Sequence, residues 1–230
     1  MIEISNLSKH FFIGERRIDV LRELSLNIKK DKITVILGRS GCGKTTLLRL
    51  IASLESVSLG EIKFKEQAKI GFVFQEPRLM PFLNVYENIV FALKKKEIVA
   101  EKIDSLISMI GLSDFKFAAV SQLSGGMSSR VSLARVLAYE ANLILMDEPF
   151  AALDAFTRAS MQAEILKIQA GKTILFVTHN IDEALFLADE IILLEKGGIK
   201  SSYELSNLAR PRDLLSEELI AIKRKILSEI

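Results

Sequence analysis

Apolar and polar positions follow two rhythms along the chain. Leu24, Leu26 and Ile28 alternate with polar neighbours, the pattern of a strand with one wet face. Ile33–Leu37, Leu143–Met146 and Thr173–Val177 are nearly unbroken apolar runs, which suit parallel strands covered on both faces. Ile191–Leu194 is a further run of strand length. Helical spacing fills the gaps. It predicts helices over Thr45–Ser53 and Asp154–Gln169, the second stopped by Gly171. Asn180, with Glu183 three positions on, makes an N-cap pair ahead of Ala184–Leu187. Strand alternating with helix predicts an α/β, doubly wound sheet.

Residues 78–135 break that alternation. They read as helices without strands, over Val85–Lys96, Val99–Ile110 and Ser124–Tyr139. The expected organisation is one domain over 1–230. Its α/β core would comprise 1–77 and 136–230, with 78–135 as an inserted helical subdomain. Asp213–Ser228 reads as an amphipathic tail helix.

Composition narrows the class. The chain has 230 residues, 49% of them hydrophobic, enough for one large domain. The formal net charge is only +2, with no clustered basic face, so no nucleic-acid partner is expected. Lys94–Lys96, the densest basic run, reads as a solvated helix end. Cys42 is the single cysteine, which excludes an intrachain disulfide and fits a reducing compartment. The N-terminal residues lack the pattern of a signal peptide. No apolar run approaches the roughly 20 residues of a membrane span, so any membrane role is expected to come through a partner.

The chemistry begins at Gly38-Arg39-Ser40-Gly41-Cys42-Gly43-Lys44-Thr45, which matches G-x-x-x-x-G-K-[ST] between an apolar strand and a helix. Glycines there let backbone N–H groups approach phosphate oxygens, and the helix start directs its positive end at the same anion. Lys44 is expected to reach the β- and γ-phosphates, and the Thr45 hydroxyl to ligate Mg²⁺. Thr46 completes the expected nucleotide contacts. Leu143–Pro149 supplies the acidic complement. Its strand brings Asp147 to the C-terminal sheet edge, where it would hold Mg²⁺, and sets Glu148 beside the γ-phosphate as a general base for water.

Leu123-Ser124-Gly125-Gly126-Met127 opens the long helix before that strand, and with it the chain resembles the ABC ATPases over essentially its whole length. In that resemblance Gln75 is the Q-loop residue, contacting Mg²⁺ or water. Ala151-Ala152-Leu153-Asp154 is the D-loop, and His179 is the switch histidine. Phe11 is the aromatic that stacks on adenine, with Phe12 as its rival. Ser124, Gly125 and Gly126 would serve the ATP of a second copy, so a two-fold homodimer would bury two ATPs. The fold implied is a P-loop NTPase core with a mainly parallel sheet and an N-terminal antiparallel β part.

Finer features narrow the branch. Met127 stands where many members carry Gln, and Ser128-Ser129 replaces a commoner pair. Met127, the segment Glu76–Asn88 and the tail Ala209-Arg210-Pro211-Arg212-Asp213 resemble the nitrate/sulfonate/taurine importer branch. That branch implies a peripheral ATPase on the cytoplasmic face of the membrane. It implies integral membrane permease subunits and, indirectly, an extracytoplasmic solute-binding protein. Leu79, Met80, Phe82 and Leu83 would face the permease or pack in the subdomain core. Importers of a thiamine precursor and exporter or lipid-extraction ATPases share the catalytic motifs. ABC ATPases acting on DNA or ribosomes usually carry two cassettes or a coiled-coil insertion, features this sequence lacks. Cys42, near Lys44 at a helix start, is expected to favour the thiolate and to react with alkylating reagents.

Overall fold

The unbroken apolar runs become strands with no exposed residue. The structure is a computed structural model that describes residues 1–230. It comprises two compact units, Met1–Ala68 with Gln169–Ile230, and Lys69–Ile168. Elements are numbered in chain order.

In the first unit β1 (Ile2–Ile13) and β2 (Arg16–Ile28) form a long antiparallel pair, from Ile2 opposite Ile28 to Ile13 opposite Arg16. β4 (Leu59–Phe64) pairs with the other edge of β1. Leu24, Leu26 and Ile28 are buried while Ser25 and Asn27 are exposed, as the alternation requires. β3 (Ile33–Leu37) lies between β7 (Thr173–Thr178) and β8 (Glu190–Glu195), parallel to both. Every residue of β3 and β7 is buried, which explains their continuous apolar sequence. β9 (Gly198–Glu204) adds an antiparallel edge to β8. Helix α1 (Lys44–Ile51) follows β3, α6 (Ile181–Leu187) links β7 to β8, and α7 (Glu217–Glu229) forms the tail.

The second unit holds the parallel pair β5 (Ile70–Val73) and β6 (Leu143–Asp147), with Ile70 opposite Leu143. Around it run α2 (Val85–Val90), α3 (Ala100–Met109), α4 (Gly125–Ala138) and α5 (Ala155–Ile168). Residues 78–135 lie entirely within this unit. Helix α4 approaches β5 closely at Gly71. A Cβ there would stand 2.4 Å from Val136 Cγ1 and 2.9 Å from Ala141 Cβ. Arg130 on α4 donates to Ile110 O at 2.5 Å, closing the C-terminal end of α3.

Some sequence expectations are corrected. The helix expected over Val85–Lys96 ends at Val90, and Lys95–Glu97 is a separate 3₁₀ turn. A capping box of Asn84 and Glu87 starts α2, but Phe91 and Ala92 are exposed and offer no buried face to continue it. Lys94–Lys96 is exposed, as expected, yet the run lies beyond α2 rather than at its end. The tail helix begins at Glu217, not Asp213. The Asp213 carboxylate accepts from Leu215 N at 2.9 Å and holds a turn there.

Candidate functional site

The loop between β3 and α1 is shaped from within. Gly41 and Gly43 occupy positive φ, +80° and +106°, conformations that suit glycine. Gly38 is buried, and a Cβ on it would lie 2.4 Å from the Leu194 carbonyl oxygen and 2.8 Å from Cys42 Sγ. Lys44 is 5% exposed. Its ammonium donates to the carbonyls of Gly38 at 2.7 Å and Arg39 at 2.9 Å, folding the loop around its own cation. The cap residue of α1 is Gly43, which has no side chain with which to cap the helix. Arg39, Ser40 and Gly41 are exposed, and Thr45 and Thr46 are half-buried on the first turn.

Cys42 overturns an expectation. Burial pushes its thiol up, and the opposing pull of Lys44 and of nearby backbone donors is the smaller influence. Proximity to a cation and a helix start suggested a thiolate, but desolvation wins. A cavity of about 260 Å³ lies against the loop, lined by Cys42 together with Leu193 and Leu194.

His179 is exposed immediately after β7. Its neighbours are tied down. Thr178 Oγ1 donates to the buried Glu183 carboxylate at 2.6 Å and accepts from Asn180 N at 3.0 Å. Asn180 caps α6 through Asp182 N at 2.9 Å and Glu183 N at 3.3 Å. Glu183 therefore bonds to Thr178, the residue just before His179, instead of completing a capping box. Phe11 is half-buried, with the Lys9 ammonium 4.6 Å from its ring centre. Lys9 also donates to Ser56 O at 2.7 Å, so Phe11 is seated against an anchored cation. Phe12 is exposed and meets His10 edge-on.

The second unit carries the remaining candidates. Asp147 ends β6 and is 3% exposed. Glu148 follows with φ +44°, a left-handed conformation that strains a residue bearing a Cβ. Gln75 is exposed after β5. Ser124 caps α4, its hydroxyl accepting from Met127 N at 3.2 Å. Gly125 is exposed, and Gly126 packs on the turn before α5. A Cβ on Gly126 would meet Ala152 O and Leu153 Cδ2, each at 3.2 Å. The start of α4 and the segment Ala151–Asp154 are therefore in contact. Asp154 caps α5 by accepting from Phe156 N and Thr157 N, both at 3.0 Å, and from Thr157 Oγ1 at 2.6 Å. The Thr157 hydroxyl is the main reason its carboxyl is held below the ordinary range.

Sequence reading missed one link. Arg135 of α4 donates to the carbonyls of Arg78 and Pro77, both at 3.1 Å, tying the helix that starts at Ser124 to the segment after Gln75. A basic residue inside an apolar helical stretch is the only signal that pointed to it.

Comparisons with known proteins show the family. The family described as ABC transporter matches residues 21–151. An aliphatic sulfonates import ATP-binding protein, SsuB of Bacillus cereus, is 39% identical over 239 residues, 99% of this chain and 95% of that protein. A spermidine/putrescine import ATP-binding protein, PotA of Bacteroides thetaiotaomicron, is 37% identical over all of this chain, which covers 50% of that protein. A solved dimeric ATP-binding cassette, in a post-hydrolysis state bound to ADP and Pi, superposes with a TM-score of 0.82 at 32% identity, covering 89% of this chain and 99% of that one. With its phosphate-type loop, acidic strand end and Ser-Gly-Gly helix start, the chain belongs to the ABC transporter family, as an ATP-binding ATPase.

Proposed function

We propose that this chain is the ATPase of an importer for a small anionic solute of the sulfonate type, working as a homodimer on the cytoplasmic face of the membrane beneath integral permease subunits. An extracytoplasmic solute-binding protein would deliver the solute. No nucleic-acid partner enters this reading. No helix is long and apolar enough to cross a membrane. The observation that carries the proposal is the loop over Gly38–Thr45, built as a phosphate cradle with Lys44 inside it. The SsuB match over 95% of that relative supports the solute class.

Each residue has a role in this reading. Gly38 through Gly43, with Arg39, Ser40 and Cys42, present backbone donors to phosphate, and Thr46 extends them. Lys44 neutralises phosphate charge. Thr45, Asp147 and Gln75 would hold Mg²⁺. The buried Asp147 carboxylate fits that ion as a hard oxygen donor at the strand end. The ion would supply charge neutralisation across the phosphates. Glu148 accepts a proton from the attacking water, and His179 orients that water at the γ-phosphate. Phe11 stacks on the adenine. Ser124, Gly125 and Gly126 clamp the γ-phosphate held by the second copy. Asp154 sets the D-loop at the same seam, where Phe156, 91% exposed, offers an apolar surface to that copy. Phe82, 77% exposed in the segment after Gln75, would meet the permease. The helical insertion would be residues 78–135.

The test is Glu148→Gln. It should retain ATP binding, dimerise with ATP by light scattering, and hydrolyse at least about a hundredfold more slowly. A variant that stays monomeric in saturating ATP would remove the dimer from the reading. A polyamine cargo is the competing solute reading, from the PotA match. ATPase activity in permease-containing vesicles that responds to a polyamine, and not to a sulfonate, would favour it.

A further inference from the structure

The tail segment Ala209–Asp213 has no part in the chemistry above, yet it holds one of the most buried arginines in the chain. Arg212 is 7% exposed. Its Nη1 donates to Leu185 O at 2.9 Å, Ala188 O at 2.7 Å and, more weakly, Phe186 O at 3.4 Å. Its Nη2 donates to Leu205 O at 2.7 Å. Arg210 donates to Leu187 O at 2.5 Å and pairs with Asp189 at 3.3 Å. The last carbonyls of a helix have no partner within it. At the end of α6, Leu185 through Ala188 find theirs in two guanidinium groups from a segment more than twenty residues later. Positive charge at that end also complements the helix dipole.

Helix α6 has only seven residues, about 10 Å of helix at 1.5 Å per residue. A helix that short has little stability of its own. Its other end is where Asn180 caps and His179 projects. Asp182 in its first turn is bound by Lys223 of α7 at 2.5 Å, a second hold from the tail. Burial pushes the Arg212 guanidinium down to about 10, with Arg210 adding to it, so the cation is kept in a costly place.

We propose that Arg210 and Arg212 are positioning residues for His179: they fix the far end of α6, and so the place of the imidazole at its near end. This rests on the reading of His179 given above. The charge and the fork are both required, because a single ammonium cannot reach carbonyls on two sides.

The full chain tests this with Arg212→Gln, Arg212→Lys, His179→Ala and the double variant. Arg212→Gln should lower kcat for ATP about tenfold or more while KM for ATP stays within about twofold, since misplacement at a distance acts on the transition state. Arg212→Lys should recover only part of it. The double variant should be no slower than His179→Ala alone. The chain has two histidines, His10 and His179, so the His179 ring resonance is identified by elimination in NMR. It should move in Arg212→Gln. An unmoved resonance, or losses that multiply in the double variant, would overturn the proposal. If His179→Ala keeps full kcat, the role given to His179 fails, and the resonance still decides whether the clamp exists. Should Arg212→Gln not fold, Arg210→Gln, which removes only the Leu187 bond and the Asp189 pair, gives the same readings at smaller size.

Discussion

Two helix starts in this chain are built for one kind of ligand and in opposite styles. The start of α1 is buried and made inside its own loop. Gly43 caps it without a side chain, Gly38 is wedged against the Leu194 backbone, and Lys44 is held by two loop carbonyls. The start of α4 lies open. Ser124 and Gly125 are exposed, and the Ser124 hydroxyl caps the helix as an acceptor. Its hydrogen remains available to an outside acceptor. One start is pre-formed by the single chain, and the other presents its donors outward. That difference suits a site completed by a second copy.

Four results would break or sharpen this contrast, taken from large to small. Gly38→Ala drives a Cβ into a backbone carbonyl at 2.4 Å. It should cost about 3 kcal/mol or more in urea unfolding. Gly125→Ala meets nothing nearer than Ala152 Cβ at 3.8 Å. Its unfolding free energy should stay within about 0.5 kcal/mol of the parent, while ATP-dependent dimerisation by light scattering weakens. Equal stability losses would show that the two starts are built alike. Ser124→Ala should cost about 1 kcal/mol through the lost cap; a change near zero would mean the open start needs no cap.

The third result concerns Asp154. Its carboxyl is held down in the folded chain, so its contribution is present above the unfolded carboxylate range of about 4 and fades as pH falls through the lower folded value. The protection factors of the Phe156 and Thr157 amides, taken against the unstructured exchange rate at each pH, should therefore fall on acidification below about pH 4, and Asp154→Asn should flatten that dependence. The smallest effect is at Cys42. Because burial raises its pKa, iodoacetamide should modify it more slowly than free cysteine at neutral pH. A faster reaction would restore the thiolate expectation.

The sequence showed the strands whose faces are both covered, since Ile33–Leu37, Leu143–Met146 and Thr173–Val177 have no alternative reading once bounded by helices. It hid β4, where five of six residues are exposed and no apolar rhythm exists. It hid the antiparallel partner β9 for the same reason, and overran α2 because spacing cannot reveal that a face stays wet. The phosphate loop, Asp147–Glu148 and Ser124–Gly126 were legible because each packs its chemistry into adjacent residues. Arg135 and Arg212 were not, because their partners are carbonyl oxygens, which any residue supplies.

The left-handed backbone at Glu148 has its own consequence. Glycine would take φ +44° without strain, whereas a residue with a Cβ gives up about 1 kcal/mol to stay there. The fold thus tolerates discomfort at one peptide to keep a carboxylate of that reach at the strand end. Evolution toward a sturdier chain and evolution toward a faster one would pull that residue in opposite directions.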